Sequence, residues 1–289
     1  MRRKHVVSGL VVVALVVGVN TPAMAQIFPW WSFDSVLDEV QDRGTIRVGL
    51  GLFEPWSLCN NDGELVGFEI DVATKLAADM GVEVEFARTN WSYIISSLIA
   101  EDFDAIISGM TILPSRNLRI NFTSPYNMTG VYLVANTAQT MDLETLEDFN
   151  SADVTIGTRR GASSIPAIEN VFPNAMIELF DTDTEILDAV VAGDVHAAAA
   201  FATTRNSWVE ANPDTLHLPS DDAFGSEALA MGIRKGDLDT LNFLNGWITV
   251  NEASGWLEQR RQYWFEGTEW EDQRATDPDV IAACDQSFL

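Results

Sequence analysis

Short β-like runs alternate with amphipathic helices along the chain, and this alternation limits the folds that the chain can adopt. Strands are predicted at TIRVGL (45–50), VEVEFA (82–87) and FDAIISG (103–109), with helices at 68–81 and 92–101 between them. The first helix carries its apolar residues at helical spacing and is expected to stop at Gly81. The order β-α-β-α-β implies a largely parallel sheet with helices on its faces.

A second unit with the same order follows the first. Strands are predicted at VTIGT (154–158), MIELFD (176–181) and VHAAAAF (195–201), with helices at 163–172 and 183–194. The chain then returns through a predicted strand at 227–237, followed by two helical stretches broken near Ser254 and Gly255. No Pro- or Gly-rich linker separates the units, so we expect two α/β lobes that the chain crosses more than once, forming a hinged pair.

The first 25 residues predict a cleaved signal peptide. The basic start MRRK precedes the apolar run VVSGLVVVALVVGV, and the small-residue sequence PAMA ends just before Gln26. The apolar run is short for a transmembrane helix, which needs about 20 apolar residues. We therefore expect an exported, soluble protein, with an uncleaved anchor as the alternative.

The charge balance excludes two classes of partner. The 289 residues include 17 Lys and Arg against 43 Asp and Glu, a net charge of −26. Such a chain is repelled by nucleic acid and by anionic membranes. The acids are spread along the chain, so they do not by themselves predict a cationic ligand.

Cysteine and histidine are scarce. Cys59 and Cys284 either pair in an oxidising compartment, tying the C-terminal tail to an N-terminal loop, or remain two free thiols. Three histidines are too few for a zinc site, so no metal and no cofactor is expected. His196, flanked by alanines on a predicted strand, is expected to be structural.

The segment SGMTILPSRNLRINFTSPY (108–126) predicts an anion-binding turn at the end of the third strand. Ser108 and Gly109 let the backbone approach a ligand closely, because glycine has no Cβ. Thr111 adds a hydroxyl, and Arg116 supplies a planar fork of donors that suits a carboxylate. The alternative is that Arg116 pairs with a surface acid, which is common in an acidic chain.

These stretches resemble the bacterial extracellular solute-binding proteins of family 3, which serve polar amino-acid ABC transporters. The resemblance covers residues 35–270, and its clearest parts are GELVGFEIDVATKLAADMGV (63–82), WSYIISSLIAEDFDAIISGMTILPSRNLRINFTSPY (91–126) and GIRKGD (232–237). It implies an α/β, two-lobed periplasmic-binding-protein fold of type II. Each lobe is then a mixed, mostly parallel sheet flanked by helices, with the ligand cleft between the lobes.

The resemblance also implies the domain limits and the function. We assign residues 26–132 and 222–289 to a discontinuous lobe one, and residues 133–221 to lobe two. The implied function is that of a periplasmic solute-binding component of an ABC importer, which captures a small carboxylate-bearing solute by hinge closure. The solute is expected to be an amino acid or a derivative. The expected partners are this solute and, transiently, the permease, and the protein is expected to be a monomer.

Several ligand contacts in lobe one follow from the resemblance. The family holds the ligand α-carboxylate at the positions matching Gly109, Thr111 and Arg116. It places an aromatic ring over the ligand 18 residues before the glycine, where this chain has Trp91; ordinary core packing is the alternative for this residue. Phe53 matches the opposite face of that aromatic sandwich, and flat rings can attract a cation over their faces.

Lobe two is expected to contribute the remaining ligand contacts through the segment IGTRRGASS (156–164). Free N–H groups at a helix N-terminus attract an anion, and Ser163 can either donate to the ligand or cap the helix. The resemblance places Gly161 at the cleft and the residue matching Arg159 at the distal part of the ligand. Because Arg159 and Arg160 are adjacent, only one of them is expected to face inward.

The chain departs from the family pattern at the ammonium contact. The family usually has an aspartate at the end of the second-lobe strand, whereas this chain has Phe201 there. A buried ammonium without a counter-charge is costly. Either Glu54 or Glu227 serves instead, or the ligand lacks a free ammonium; solvation is the alternative for both glutamates. Some relatives of this fold are periplasmic dehydratases, so a lyase acting on a small carboxylic acid is the alternative function, although we expect no enzyme activity.

Overall fold

The computed structural model describes residues 35–286, and the predicted signal peptide (1–25) lies outside these residues. The α-helices are α1 Val36–Arg43, α2 Phe68–Met80, α3 Ile94–Ile99, α4 Pro114–Asn117, α5 Ser164–Val171, α6 Asp183–Ala192, α7 Ala202–Ala211, α8 Leu238–Ala253, α9 Trp256–Arg261 and α10 Pro278–Gln286. The strands are β1 Thr45–Leu50, β2 Leu58–Cys59, β3 Leu65–Val66, β4 Glu83–Arg88, β5 Ala105–Ile106, β6 Asn121–Phe122, β7 Asn127–Asn136, β8 Thr155–Arg159, β9 Met176–Phe180, β10 Ala197–Phe201, β11 Leu216–His217, β12 Gly225–Leu229 and β13 Gly232–Ile233.

The first sheet has the strand order β4-β1-β5-β13-β6. Strands β4, β1 and β5 are parallel, and β13 runs antiparallel to β5 and β6. This part confirms the predicted β-α-β-α-β order, with the small β2–β3 hairpin inserted before α2. We call this sheet and the helices packed on it lobe one.

The second sheet has the strand order β11-β7-β10-β8-β9, with β12 also paired to β7. Strands β10, β8 and β9 are parallel, whereas β7 runs antiparallel to each of its neighbours. The predicted β-α-β-α-β order of the second unit is thereby confirmed. We call this sheet, with α5, α6 and α7, lobe two, and the two mixed α/β sheets give the predicted two-lobed fold.

The chain crosses between the sheets twice, once after β6 and once after β12. The predicted returning strand is therefore two short strands, since β12 pairs in the second sheet and β13 in the first. The two crossings are bonded to each other: the Thr123 N–H donates to Met231 O at 3.0 Å, and the Tyr126 N–H donates to Leu229 O at 3.0 Å. The predicted lobe limits, after residue 132 and before residue 222, fall inside β7 and just before β12.

The core of lobe one packs around helix α2. Apolar side chains of this helix at positions 70, 73, 76 and 77 are buried as its periodicity predicted, and Gly81 ends the helix in the left-handed conformation. Trp247 and Trp264 are buried against this core, and Trp256 packs on its edge. The three tryptophans therefore serve as packing residues of lobe one.

Cys59 and Cys284 form a disulfide that ties α10 to the β2–β3 hairpin. The pair is buried beside Ala275, and Val280 packs against it. Of the two possibilities left open by the sequence, pairing is the observed one. No helix within residues 35–286 is both long and apolar enough to span a bilayer.

Candidate functional site

A cavity of about 50 Å³ lies between the lobes, beyond the C-terminal ends of β1, β5, β8 and β10. Ligands of open α/β sheets bind at this edge of the strands. The predicted site residues in its wall are Phe53, Trp91, Ser108, Gly109, Arg159, Ser163 and Phe201. The remaining wall residues include Thr158, Ser164, Asp183, Thr204 and Trp208.

The volume of the cavity indicates how closely the two lobes approach each other. Its volume exceeds the roughly 30 Å³ that one water molecule occupies in the liquid. It is well below the roughly 300–1,000 Å³ of typical small-molecule pockets. Residues of both lobes line this small cavity, so the lobes are in close contact around it.

Aromatic rings form one side of the cavity and join the lobes. The ring of Phe53 in lobe one contacts the ring of Phe201 in lobe two edge-on, with 5.3 Å between the ring centroids. Phe53 also stacks on Trp56, at 6.1 Å and an interplanar angle of 4°. Trp56 is buried in the core. This wall is apolar and leaves no ammonium counter-charge at position 201.

Hydroxyl groups from both lobes meet at one carboxylate. The hydroxyl of Thr111 lies 3.0 Å from that of Ser163 and hydrogen-bonds Oε2 of Glu227. The Ser163 hydroxyl donates to the same Oε2 at 2.7 Å. It makes no capping bond to helix α5, so the capping alternative for Ser163 is wrong.

Glu227 is buried, so the interpretation of this residue as a solvated surface acid is wrong. It lies on β12, where the antiparallel pairing with β7 holds it against the lobe contact. Burial raises the pKa of Glu227, whereas its bonds to Thr111 and Ser163 and the nearby charge of Arg116 lower it. The carboxylate is therefore held in a site that offers three favourable partners.

Arg116 is buried directly behind this cluster. Its Nη1 donates to Thr111 O at 2.9 Å, and its Nη2 donates to Gly161 O of lobe two at 2.9 Å. Burial lowers the pKa of Arg116 to about 10, which leaves it charged at neutral pH. Arg116 does not pair with a surface acid. In the closed cleft, the Arg116 guanidinium bridges the lobes by donating to one backbone carbonyl in each.

The Ser108–Gly109 turn is held from behind by a buried glutamate that the sequence analysis did not single out. The Gly109 N–H donates to Oε1 of Glu69 at 2.7 Å, and the Tyr126 hydroxyl donates to Oε2 at 2.6 Å. Gly109 has a φ of +58°, in the left-handed region that favours glycine. Burial raises the pKa of Glu69 to about 7 despite these two bonds. The Gly109 N–H is thus bonded to Glu69, while Ser108 Oγ accepts from the Gly51 N–H at 3.1 Å.

Arg159 and Arg160 face opposite sides of their strand, as expected for adjacent residues. Arg160 points outward and donates through Nε to Asp181 at 2.9 Å. Arg159 lines the cavity, with its guanidinium 5.8 Å from the Trp91 ring centroid and its Nη1 3.7 Å from Asp183. Asp183 begins helix α6, and burial raises its pKa while Arg159 lowers it.

Glu54 and His196 lie outside the cavity wall. Glu54 is exposed and pairs with Arg274 at 3.3 Å, so it does not line the cavity and its candidacy as an ammonium partner is corrected. His196 is structural, because its Nδ1 accepts from the Thr155 N–H at 3.1 Å. Within residues 35–286, no group of three or more metal-ligating side chains is placed to hold an ion.

Glu69 and Asp183 were missed for different reasons. Glu69 precedes Ala73 and Leu76 by four and seven residues, so its position on the apolar face of α2 was visible in the sequence. Asp183 stands in the helix-start pattern TDTE, where an acid is ordinarily explained by the helix dipole. Nothing local in that pattern indicates that its side chain reaches a cavity.

The chain is similar in sequence to known binding proteins. The L-cystine-binding protein TcyJ of Escherichia coli (strain K12) is 26% identical over 91% of this chain and 95% of its own length. The ABC transporter arginine-binding protein 1 of the same strain is 25% identical over 74% of this chain and 87% of its own length.

The chain is also similar in fold to a solved structure. The ancestral amino acid-binding protein AncCDT-1, a precursor of cyclohexadienyl dehydratase, is similar with a TM-score of 0.71 and 32% identity. That similarity covers 80% of this chain and 99% of the ancestral one. The family model for bacterial extracellular solute-binding proteins, family 3, matches residues 46–267. The chain therefore belongs to the bacterial extracellular solute-binding proteins of family 3.

Proposed function

We propose that this chain is the periplasmic binding component of an ABC importer and that it captures an amino acid or a derivative by its carboxylate. One observation carries the proposal. Thr111 of lobe one and Ser163 of lobe two both bond the same carboxylate oxygen of Glu227, with the charge of Arg116 close by. A position that holds the protein's own carboxylate between the lobes has the chemistry to hold a ligand carboxylate.

Ligand binding then exchanges one carboxylate for another. When the lobes separate, Arg116 loses the Gly161 carbonyl, and its fork becomes available to the solute. A bidentate arginine–carboxylate contact is stronger than a bond to a neutral carbonyl. The displaced Glu227 remains beside the bound head group, where it serves as the counter-charge to a ligand ammonium. It thereby replaces the acid that is absent at Phe201.

Closure follows from contacts to both lobes. Lobe one supplies Arg116 and Thr111, lobe two supplies Ser163, and the solute bridges them. A ligand that contacts both lobes favours the closed state by its differential affinity for that state. The hinge lies at the two crossings, 123–126 and 230–231. In this proposal the closed protein is the form recognised by the permease.

The test is ligand binding by the full mature chain and by Arg116→Ala, measured by isothermal titration calorimetry against a panel of amino acids. We expect the parent to bind and Arg116→Ala to lose detectable binding. Arg119→Ala is the matched control, because Arg119 is exposed on the same segment. Circular dichroism checks that each variant is folded. A folded Arg116→Ala that binds as tightly as the parent would show that the carboxylate assignment is wrong.

The remaining parts of the proposal concern export and assembly. Residues 1–25 act as the signal peptide, and the mature protein is a periplasmic monomer that begins at Gln26. N-terminal sequencing of the exported protein and its mass by light scattering test these points. A mature chain that retains residues 1–25, or a stable dimer, would contradict them.

A dehydratase activity is the second candidate, because Glu227 provides a buried carboxyl with a raised pKa beside the cavity. Such a carboxyl can act as a general acid. In the proposed function Glu227 instead acts as a counter-charge and no bond of the solute breaks. Incubation of the pure protein with cyclohexadienyl carboxylic acids, followed by mass spectrometry, distinguishes the two. Loss of water from a bound acid, abolished by Glu227→Gln, would establish the enzyme.

A further inference from the structure

Arg159 and Asp183 form a charge pair in the wall of the cavity, separate from the Thr111–Ser163–Glu227 cluster. Both side chains line the cavity, and Arg159 is 16% exposed. Their closest approach, 3.7 Å from Nη1 to Oδ2, is beyond a normal hydrogen bond. The Nε of Arg159 is buried and meets no acceptor among the described residues. The two side chains are thus oppositely charged neighbours without a hydrogen bond between them, and Arg159 Nε lacks an acceptor among the described residues.

A neighbouring arginine–aspartate pair, just beyond the ends of β8 and β9, is bonded more closely. Arg160 and Asp181, one and two positions away, make a direct bond of 2.9 Å on the solvent side. Asp183 is also not needed to cap its helix. Thr182 accepts from the Glu185 N–H, and Glu185 accepts from the Thr182 N–H, which completes the capping box. The carboxylate of Asp183 is therefore free to contact a ligand.

Trp91 joins the two charged ends of the site. The guanidinium carbons of Arg116 and of Arg159 each lie 5.8 Å from its ring centroid. Each arginine is accompanied by an acid, Glu227 at one end and Asp183 at the other. The wall shared by the two ends carries the apolar rings of Trp91, Phe53 and Phe201. The site is apolar in the middle and has a positive and a negative group at each end.

We propose that Arg159 and Asp183 form a second subsite, which binds a distal ammonium and carboxylate of the ligand. The solute class is then a diamino dicarboxylic acid: a short, apolar linker with a zwitterionic amino-acid group at each end. This inference rests on the proposed function, in which the first zwitterionic group binds at Arg116 and Glu227.

Other solutes leave one of the two distal groups unmatched. A lone distal carboxylate is repelled by Asp183, and a lone distal ammonium is repelled by Arg159. An uncharged end leaves the buried donors of Arg159 without acceptors, which is costly in a closed cleft. A zwitterionic end satisfies both, because its carboxylate accepts from Arg159 and its ammonium donates to Asp183.

The experiment compares Kd values of the full mature chain for solutes that differ at the distal end, by calorimetry without reductant. The probes are L-cystine and L,L-2,6-diaminopimelate (both distal charges), L-2-aminopimelate (carboxylate only), L-lysine (ammonium only) and L-norleucine (neither). We expect the two diamino dicarboxylates to bind at least about tenfold tighter than the other three. Each of the other three lacks at least one charged hydrogen bond to Arg159 or Asp183, and the loss of one such bond accounts for a difference of this size.

Asp183→Asn is the decisive variant. We expect it to weaken L,L-2,6-diaminopimelate binding about 10- to 100-fold and to strengthen L-2-aminopimelate binding, because the repulsion is removed. Arg159→Gln weakens the binding of both. Asp181→Asn is the matched control on the solvent side and changes neither, since its partner Arg160 faces away from the cavity.

Three results would overturn the inference. In one, Asp183→Asn binds L,L-2,6-diaminopimelate as tightly as the parent does. In another, L-lysine or L-norleucine equals the diamino dicarboxylates in affinity. In both of these cases the proposed function survives, because an amino acid is still bound. If the parent binds none of the probes and no other amino acid, the proposed function fails together with the subsite.

Discussion

The buried carboxyl of Glu69 should make the stability of the protein depend on pH, and replacing it should remove that dependence. Glu69 is fully buried in lobe one and bonds the Gly109 N–H and the Tyr126 hydroxyl. Burial raises its pKa from an ordinary 4.5 to about 7. The folded protein therefore keeps a proton that the unfolded chain releases at lower pH.

The sign and the size follow from the two pKa values. Between pH 4.5 and pH 7 the folded state binds more protons than the unfolded state, so stability falls as pH rises through this window. The contribution is complete below the unfolded pKa and is lost as pH passes the folded one. Between pH 5 and pH 8 the loss amounts to about 2.5 kcal/mol of unfolding free energy.

Urea unfolding at pH 5 and pH 8, followed by circular dichroism, measures this loss in the parent and in Glu69→Gln. The variant has no carboxyl to ionise, so its pH dependence should be about 2.5 kcal/mol smaller than that of the parent. Glu147→Gln, an exposed glutamate in lobe two, is the control and should keep the parental dependence. An equal loss of stability in Glu69→Gln and in the parent between the two pH values would show that Glu69 is not the source of the dependence.

Two further pairs of substitutions test the packing. Gly67→Ala should cost about 3 kcal/mol or more, because φ is +139° there and the new Cβ would lie 2.3 Å from the carbonyl oxygen of Trp56. Gly246→Ala, in the middle of α8 with nothing within 4 Å of the new Cβ, should stabilise by about 0.5–1 kcal/mol. Urea midpoints that shift in the same direction for both would contradict this pair. Replacing Cys59 and Cys284 together by serine should cost about 2–4 kcal/mol, measured in the same way. An unchanged midpoint would show that the disulfide does not stabilise the fold.

The parts of the fold that were predictable depend on local patterns. Helix α2 has helical periodicity and a terminal glycine, and β1, β8 and β9 are short stretches that contain β-branched or other apolar residues and lie between turns. The turn at 108–116 was recognisable because glycine, threonine and arginine occur there in a fixed order. Local residue choice is enough to indicate such elements, since each is decided by interactions within a few residues.

Elements decided by distant partners were not predictable. Strand β7 begins with Asn127 and contains Gly130, yet it is the longest strand in the described residues because β10, β11 and β12 all pair with it. The role of Glu69 depends on Tyr126, which is 57 residues away. Glu227 could be named as a candidate, but its burial depends on how the two lobes meet. No local sequence pattern indicates that contact, because it forms between residues that are far apart in the chain.

The two crossings between the sheets have a consequence for how such a protein can diversify. All strands of the second sheet come from a single continuous segment, 127–229, and the backbone at its two ends is hydrogen-bonded together. A segment whose ends lie side by side can be exchanged as a unit while its host keeps both termini and its own core. Lobe two carries Arg159, Asp183 and Ser163. Recombination at the two crossings can therefore exchange the proposed distal subsite in one step, while Arg116, the proposed carboxylate-binding residue, stays in lobe one.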